Sequence, residues 1–145
     1  MKIFGLIQAR CDSKRLPNKV LKLIEGKSTI EHIYERMKSS KIFSQIIILT
    51  SKSKKDDRIV ELCKKKKYKF FRGSHENVSS RFYSICKNNN FEFFLRANAD
   101  SPLLDINIIK NKIIYAKKFD IITNCLKKTY PKGQSIELIS KKIFV

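Results

Sequence analysis

Apolar positions along the chain follow two alternating rhythms. Ile3 to Ala9 is an apolar run with the character of a strand. A polar loop follows, and Ser28-Thr29-Ile30-Glu31 then carries a capping-box start, in which the Ser and a Glu three residues on satisfy each other's backbone N–H groups. Ile30, Ile33, Tyr34 and Met37 repeat at helical spacing. Gln45 to Thr50 contains Ile46-Ile47-Ile48-Leu49, a β-branched run of the kind found in strands buried on both faces.

The alternation continues. Asp56 and Asp57 open a segment with Ile59, Leu62 and Cys63 inside and Lys64 to Lys67 at its end. Acid first and base last is the order a helix macrodipole favours. It assigns the lysine run to a solvated helix C-terminus rather than to a phosphate patch. Lys69 to Arg72 reads as a third strand ended by Gly73, and Asn77 as the cap of a helix with Val78, Phe82 and Ile85 on its apolar face. Phe91 to Arg96 is a fourth strand, and Asp105 caps a helix using Ile106, Ile109 and Ile113. Asp120 to Asn124 and Ser135 to Ser140 are two further strands, joined through Tyr130-Pro131 and Gly133. Strand and helix alternate four times without a repeat period or linker. The pattern predicts a single α/β domain over residues 1–145, an open, mainly parallel sheet with helices on both faces.

Composition adds bounds. With 145 residues, 42% hydrophobic and 31% charged, the chain has the size of one domain. No window approaches the ~20 apolar residues of a membrane span, and the N-terminus enters a strand without a signal peptide's pattern. The expectation is a soluble cytoplasmic protein. The net charge of +19 comes from 25 Lys and 7 Arg against 13 acidic residues. A nucleic-acid surface is one reading; compositional bias is the favoured one. The chain also carries 21 Ile and 9 Asn, residues that A/T-rich codons raise together with Lys, and Lys far outnumbers Arg. Cys11, Cys63, Cys86 and Cys125 stand far apart, as do His32 and His75, so no zinc site is indicated and reduced, mostly buried thiols are expected. His75 beside Glu76 reads as an exposed loop pair. Cys11 lies among cations that would lower a thiol's pKa. His32 reads as a packing residue.

Position then separates the informative cations from the diffuse ones. In right-handed βαβ units the C-terminal ends of parallel strands share one edge, where ligands bind. Most of the chain's Arg follows predicted strands: Arg10 and Arg15, Arg72, and Arg96. Leu16-Pro17 stiffens a loop that holds Arg10, Lys14, Arg15 and Lys19, and such crowding costs stability unless an anion binds. With Asp100 nearby in the pattern, the set suits a polyphosphate and a divalent metal. Neither GxxxxGK nor GxGxxG is present, which disfavours a P-loop ATPase and a standard dinucleotide dehydrogenase.

Ala9-Arg10-Cys11-Asp12-Ser13-Lys14-Arg15-Leu16-Pro17-Asn18-Lys19 closely resembles the A-R-x-x-S-x-R-L-P-x-K signature of cytidylyltransferases that activate acidic and related sugars. Among these the chain is most similar to the spore coat polysaccharide biosynthesis type, related to the acylneuraminate and 3-deoxy-manno-octulosonate cytidylyltransferases. Glu31-His32, Phe71-Arg72-Gly73-Ser74, Arg81, Arg96-Ala97-Asn98-Ala99-Asp100-Ser101-Pro102-Leu103-Leu104 and Thr129-Tyr130-Pro131-Lys132-Gly133 match in the expected order. The resemblance implies a nucleotide-diphosphosugar-transferase-like fold that uses CTP and Mg²⁺. In it a sugar hydroxyl attacks the α-phosphorus, giving a CMP-sugar and pyrophosphate. It implies that Arg10, Arg15 and Lys19 hold the triphosphate with Ser13 donating a hydrogen bond. Backbone groups near Ala9, together with Arg72 and Ser74, meet the cytidine, and Asp100 binds the metal. Arg81 and Arg96 are weaker matches, since either suits a structural ion pair. The position of Cys11 varies in the family, so no catalytic role is expected for it.

Two departures stand out. Relatives often carry Asp after the Tyr-Pro-x-Gly loop, where this chain has Gln134-Ser135-Ile136-Glu137, which would pass any metal role to Glu137. Relatives also continue through a further region with a second metal-binding aspartate, which helps close the sugar pocket and supports dimerisation. This sequence ends at Val145, with a helix expected to begin at Lys141-Lys142. The expectation is the nucleotide-binding part of the enzyme, C-terminally truncated, with reduced or no turnover; a homodimer or a separate C-terminal half is the partner to expect. The alternatives are a non-catalytic basic module that binds nucleic acid, and a glycosyltransferase of similar fold using a nucleotide-sugar donor, since Asn98-Ala99-Asp100 resembles a degenerate D-x-D.

Overall fold

The computed structural model describes residues 1–127 and 129–145. Its strands are β1 (Ile3–Gln8), β2 (Leu23–Ile24), β3 (Lys27–Ser28), β4 (Gln45–Ser51), β5 (Lys69–Gly73), β6 (Phe93–Asn98), β7 (Ile121–Thr123) and β8 (Glu137–Ser140). The helices are α1 (Thr29–Ser39), α2 (Asp57–Lys66), α3 (Val78–Asn88) and α4 (Ile106–Lys112). Six strands form one sheet in the order β5-β4-β1-β6-β8-β7. The β5-β4-β1-β6 part is parallel, as expected. β8 enters antiparallel between β6 and β7, an orientation that apolar pattern alone does not encode.

Alternation within each strand divides the core into two layers. Ile7 and Ile48 face α1, α2 and α4, whose Ile33, Ile59 and Ile109 are buried with them. Leu6, Leu49 and Phe94 face α3, where Phe82 and Ile85 cover them. Burying apolar side chains on both faces is worth roughly 25 cal/mol per Å² removed from water, which is the main force holding the helices to the sheet. Among the described residues no helix is long and apolar enough to cross a membrane.

The helix starts form as the sequence predicts. The Ser28 hydroxyl accepts the Glu31 N–H while Glu31 accepts the Ser28 N–H, a complete capping box. Asn77 accepts from the Ser80 N–H and Asp105 from the Asn107 N–H. Asp56 behaves differently: it caps nothing with its side chain and is buried. The lysines ending α2 are mostly exposed, but Lys66 reaches across to the buried carboxylate of Glu31 at 2.6 Å. One element went unpredicted. β2 and β3 form a small antiparallel hairpin within the polar loop, turned by Glu25 and Gly26, both at positive φ. That backbone suits a primed hairpin turn and favours glycine. After β8, Lys141–Ile143 forms a 3-10 turn.

Candidate active site

The strand order reverses direction at β1, with β4 on one side and β6 on the other. A sheet of this kind opens a crevice beside the C-terminal ends of the strands at that point. Here Gln8 ends β1 opposite Asn98, which ends β6, and both line a cavity of about 1110 Å³. The crevice therefore follows from topology, and the side chains that fill it follow from the loops leaving β1 and β6.

The loop after β1 is held in a tight fold. The Cys11 carbonyl accepts the N–H groups of both Ser13 and Asn18, at 3.0 and 2.9 Å. Pro17 fixes its own φ, and Asn18 adopts a left-handed conformation (φ 56°), one that Asn tolerates better than most residues. Lys19–Leu21 then turns into a 3-10 helix. This geometry turns Arg10, Ser13, Lys14, Arg15 and Lys19 toward the cavity. From β6, Asp100 arrives on the other side and forms an ion pair with Lys19.

Two cations that sequence reasoning missed also line the cavity: Lys55, from the turn after β4, and Arg58, from the first turn of α2. They were invisible because their approach depends on how α2 packs, with no local motif to announce it. Gln8 is a further addition, its Oε1 buried and without a partner among the described residues. The cavity thus gathers six cations, Arg10, Lys14, Arg15, Lys19, Lys55 and Arg58, beside two carboxylates, Asp12 and Asp100. Both carboxylates are already engaged, Asp100 by Lys19 and Asp12 by His75. An anion is the complement this arrangement lacks.

The other expected residues lie apart from that lining. The Ala9 N–H is spent on the Leu49 carbonyl at 3.0 Å. Arg72 donates to the carbonyls of Ser51 and Ser53, each at 2.9 Å, and pairs with Asp57 at 2.8 Å. The Ser74 hydroxyl accepts the Asn77 N–H. Arg96 pairs with Glu137 at 2.7 Å across the β6–β8 register, so the carboxylate with a suggested metal role is taken by a guanidinium. Arg81 is fully buried, and none of its three guanidinium nitrogens has a partner among the described residues. Burial, then the charge of Arg10, lowers its pKa, while Asp56 opposes the shift.

Two expectations are corrected. Burial pushes the Cys11 thiol up to about 11, with Asp56 adding to the effect and Arg58 opposing it. The surrounding cations do not prevail because the sulfur is enclosed and the Asp56 carboxylate outweighs Arg58. His75 does not form an exposed pair with Glu76. It is half-buried, with Nε2 at 3.2 Å from Asp12 and Nδ1 at 3.2 Å from the Ser51 hydroxyl.

α/β sheets of this kind bind ligands where the strand order reverses, and here that point opens onto a cation-lined crevice. The chain belongs to the cytidylyltransferase family, whose profile matches residues 4–137. It is 41% identical over 125 residues to an uncharacterised protein of Methanocaldococcus jannaschii, covering 85% of this chain and 51% of that one. With the spore coat polysaccharide biosynthesis protein SpsF of Bacillus subtilis it shares 30% identity over 111 residues, covering 74% of this chain and 46% of the relative. The solved structure of a cytidylyltransferase from Leptospira borgpetersenii superposes with a TM-score of 0.91 at 30% identity, covering 99% of this chain and 62% of that one. The chain spans about half the length of the curated relatives it matches.

Proposed function

We propose that this chain binds CTP in the β1/β6 crevice and is the nucleotide-binding domain of an enzyme that transfers CMP to a sugar or sugar acid, releasing pyrophosphate. The observation that carries this reading is the set of cavity cations without carboxylate partners among the described residues, Arg10 and Arg15 foremost, on a loop whose fold turns them inward. Arg10, Arg15 and Lys19 hold the phosphates, and Ser13 donates a hydrogen bond to them. Fixed cations of this kind stabilise charge that builds on the phosphoryl oxygens and the leaving pyrophosphate, at no cost of reorganisation during the reaction. Gln8, with its free amide oxygen, offers an acceptor suited to the amino group of cytosine. Backbone near Ala9, together with Arg72 and Ser74, is assigned to the cytidine by likeness to the family, although these groups lie outside the crevice lining, and Arg81, buried against Gly73, is assigned with them. Arg96 serves the sheet through Glu137.

The residues present fit Mg²⁺. It prefers oxygen ligands, retains water, and is bound through one or two carboxylates together with substrate phosphates. Asp100 offers such a carboxylate at the cavity rim, and among the described residues no cluster of three or more His, Cys, Asp or Glu forms a ready cage. Asp100 would hold the ion as the nucleotide brings it. When bound, the metal supplies neutralisation of phosphate charge and alignment of the displacement. Lys19, released from Asp100, then turns to the phosphates.

The likeness to SpsF supports a product used in surface polysaccharide synthesis. Calorimetric titration with CTP and Mg²⁺ tests the reading. Saturable binding that Asp100→Ala weakens is expected; no heat at millimolar nucleotide, or equal binding by the variant, contradicts it.

A further inference from the structure

We infer that His75 is a positioning residue, the link that closes a ring of polar contacts gripping the anion-binding loop at two adjacent residues. Asp56 Oδ1 accepts the Cys11 N–H at 2.8 Å, while its Oδ2 accepts the Ser51 hydroxyl and the Ser51 N–H. The Ser51 oxygen meets His75 Nδ1, and His75 Nε2 meets the Asp12 carboxylate. The circuit thus runs from Cys11 through Asp56, Ser51 and His75 to Asp12, the next residue along the loop. Four separate stretches of chain contribute: the β1 loop, the end of β4, the turn before α2 and the β5–α3 connection.

Ser51 is the hub of the circuit. Its hydroxyl donates to Asp56, and its oxygen also accepts the Ser53 N–H. His75 lies between Ser51 and Asp12, with Nδ1 at 3.2 Å from the Ser51 hydroxyl and Nε2 at 3.2 Å from the Asp12 carboxylate. The imidazole thus spans the gap between the end of β4 and the β1 loop, and without it the circuit holds the loop through Asp56 alone.

This inference rests on the CTP reading for its functional consequence, while the ring itself is testable without nucleotide. Amide hydrogen exchange at Cys11 and Mg²⁺–CTP affinity are measured on the same proteins under one set of conditions. Variants are His75→Ala, which removes both contacts, and His75→Gln, whose side-chain amide can still bridge Ser51 and Asp12. His75→Ala should exchange Cys11 about tenfold faster and bind Mg²⁺–CTP about tenfold more weakly, the usual scale for a lost buried hydrogen bond. His75→Gln should recover most of both. Asp12→Asn should add little on top of His75→Ala. Unchanged Cys11 exchange in His75→Ala overturns the ring whatever the nucleotide does. Faster exchange in a protein that never binds CTP upholds the ring and defeats the functional reading instead.

Discussion

Lys19 and Asp100 form an ion pair across the mouth of the crevice, one from the turn that follows β1 and the other from just beyond β6. Eighty-one residues separate them in sequence, and the parallel pairing of β1 with β6 brings them together. On the proposed CTP reading Lys19 is the cation for phosphate and Asp100 the carboxylate for metal, and in the pair each holds the other. Asp100→Asn should therefore remove the Mg²⁺ dependence of CTP binding while leaving metal-free binding equal or tighter, because Lys19 is released. Nucleotide titrations with Mg²⁺ and with a chelator check this; a loss of equal size in both conditions would show that Asp100 acts only on the loop.

Arg10 and Arg15 have no carboxylate partner among the described residues, unlike Arg72 and Arg96. Alanine at either position should cost more than about tenfold in CTP affinity, the scale of a charge-assisted bond to phosphate. Folding stability should move by no more than about 0.5 kcal/mol, as for surface positions free of specific contacts. Chemical denaturation alongside calorimetry separates the two effects, and a large loss of stability would mark these arginines as structural.

Arg81 carries a buried guanidinium without a partner among the described residues, and its stem packs against Gly73 so closely that a Cβ there would lie 2.6 Å from Arg81 Cγ. Arg81→Met keeps the stem and removes the charge. It should raise stability by about 1–4 kcal/mol, as when buried charges give way to apolar side chains, and it should weaken nucleotide binding. Gly73→Ala should cost about 1–3 kcal/mol through overpacking. Urea denaturation of both variants is the check, and a destabilised Arg81→Met would mean that the guanidinium has a structural partner.

Acid stability should depend on Glu31. Burial alone would raise its pKa from 4.5, but hydrogen bonds from Lys66 and Ser28 prevail and lower it. A carboxylate depressed in the folded state contributes stability that is complete above its unfolded pKa and is lost as pH falls through the folded one. Glu31→Gln should thus be less stable than the parent at pH 7, by about 1 kcal/mol. The difference should shrink once the pH drops below the ordinary carboxylate range. Parallel thermal melts from pH 7 to pH 3 test the sign; a gap that widens in acid contradicts it.

Much of this was legible in the sequence because it is local. The Ser28–Glu31 capping box, the Asn77 and Asp105 caps and the β-branched run from Ile46 to Ile48 each declare themselves within a few residues, and all formed. The loop from Arg10 to Lys19 was equally readable, since its cations are consecutive and its Pro-Asn turn is self-contained. What stayed hidden depends on distant partners. Asp56 reads in sequence only as part of an acidic helix start, because its acceptance of the Cys11 N–H spans 45 residues. His75 looked like half of a pair with Glu76, because Asp12 comes to it only when the β1 and β5 ends align. Lys55 and Arg58 reach the crevice through the packing of α2, and β8 slips between β6 and β7 by a pairing that periodicity does not specify.

The most direct test of the central claim is a side-chain nitrogen–proton spectrum of the arginines during titration with Mg²⁺–CTP. The chain has only seven arginines, so each signal can be assigned. Arg10 and Arg15 should shift saturably and together, with Arg58 following as a cavity neighbour, while Arg36 on α1 and Arg96 in its pair with Glu137 stay in place. Equal drift of all seven signals, or saturable shifts confined to arginines outside the crevice, would contradict a triphosphate site at the β1/β6 edge.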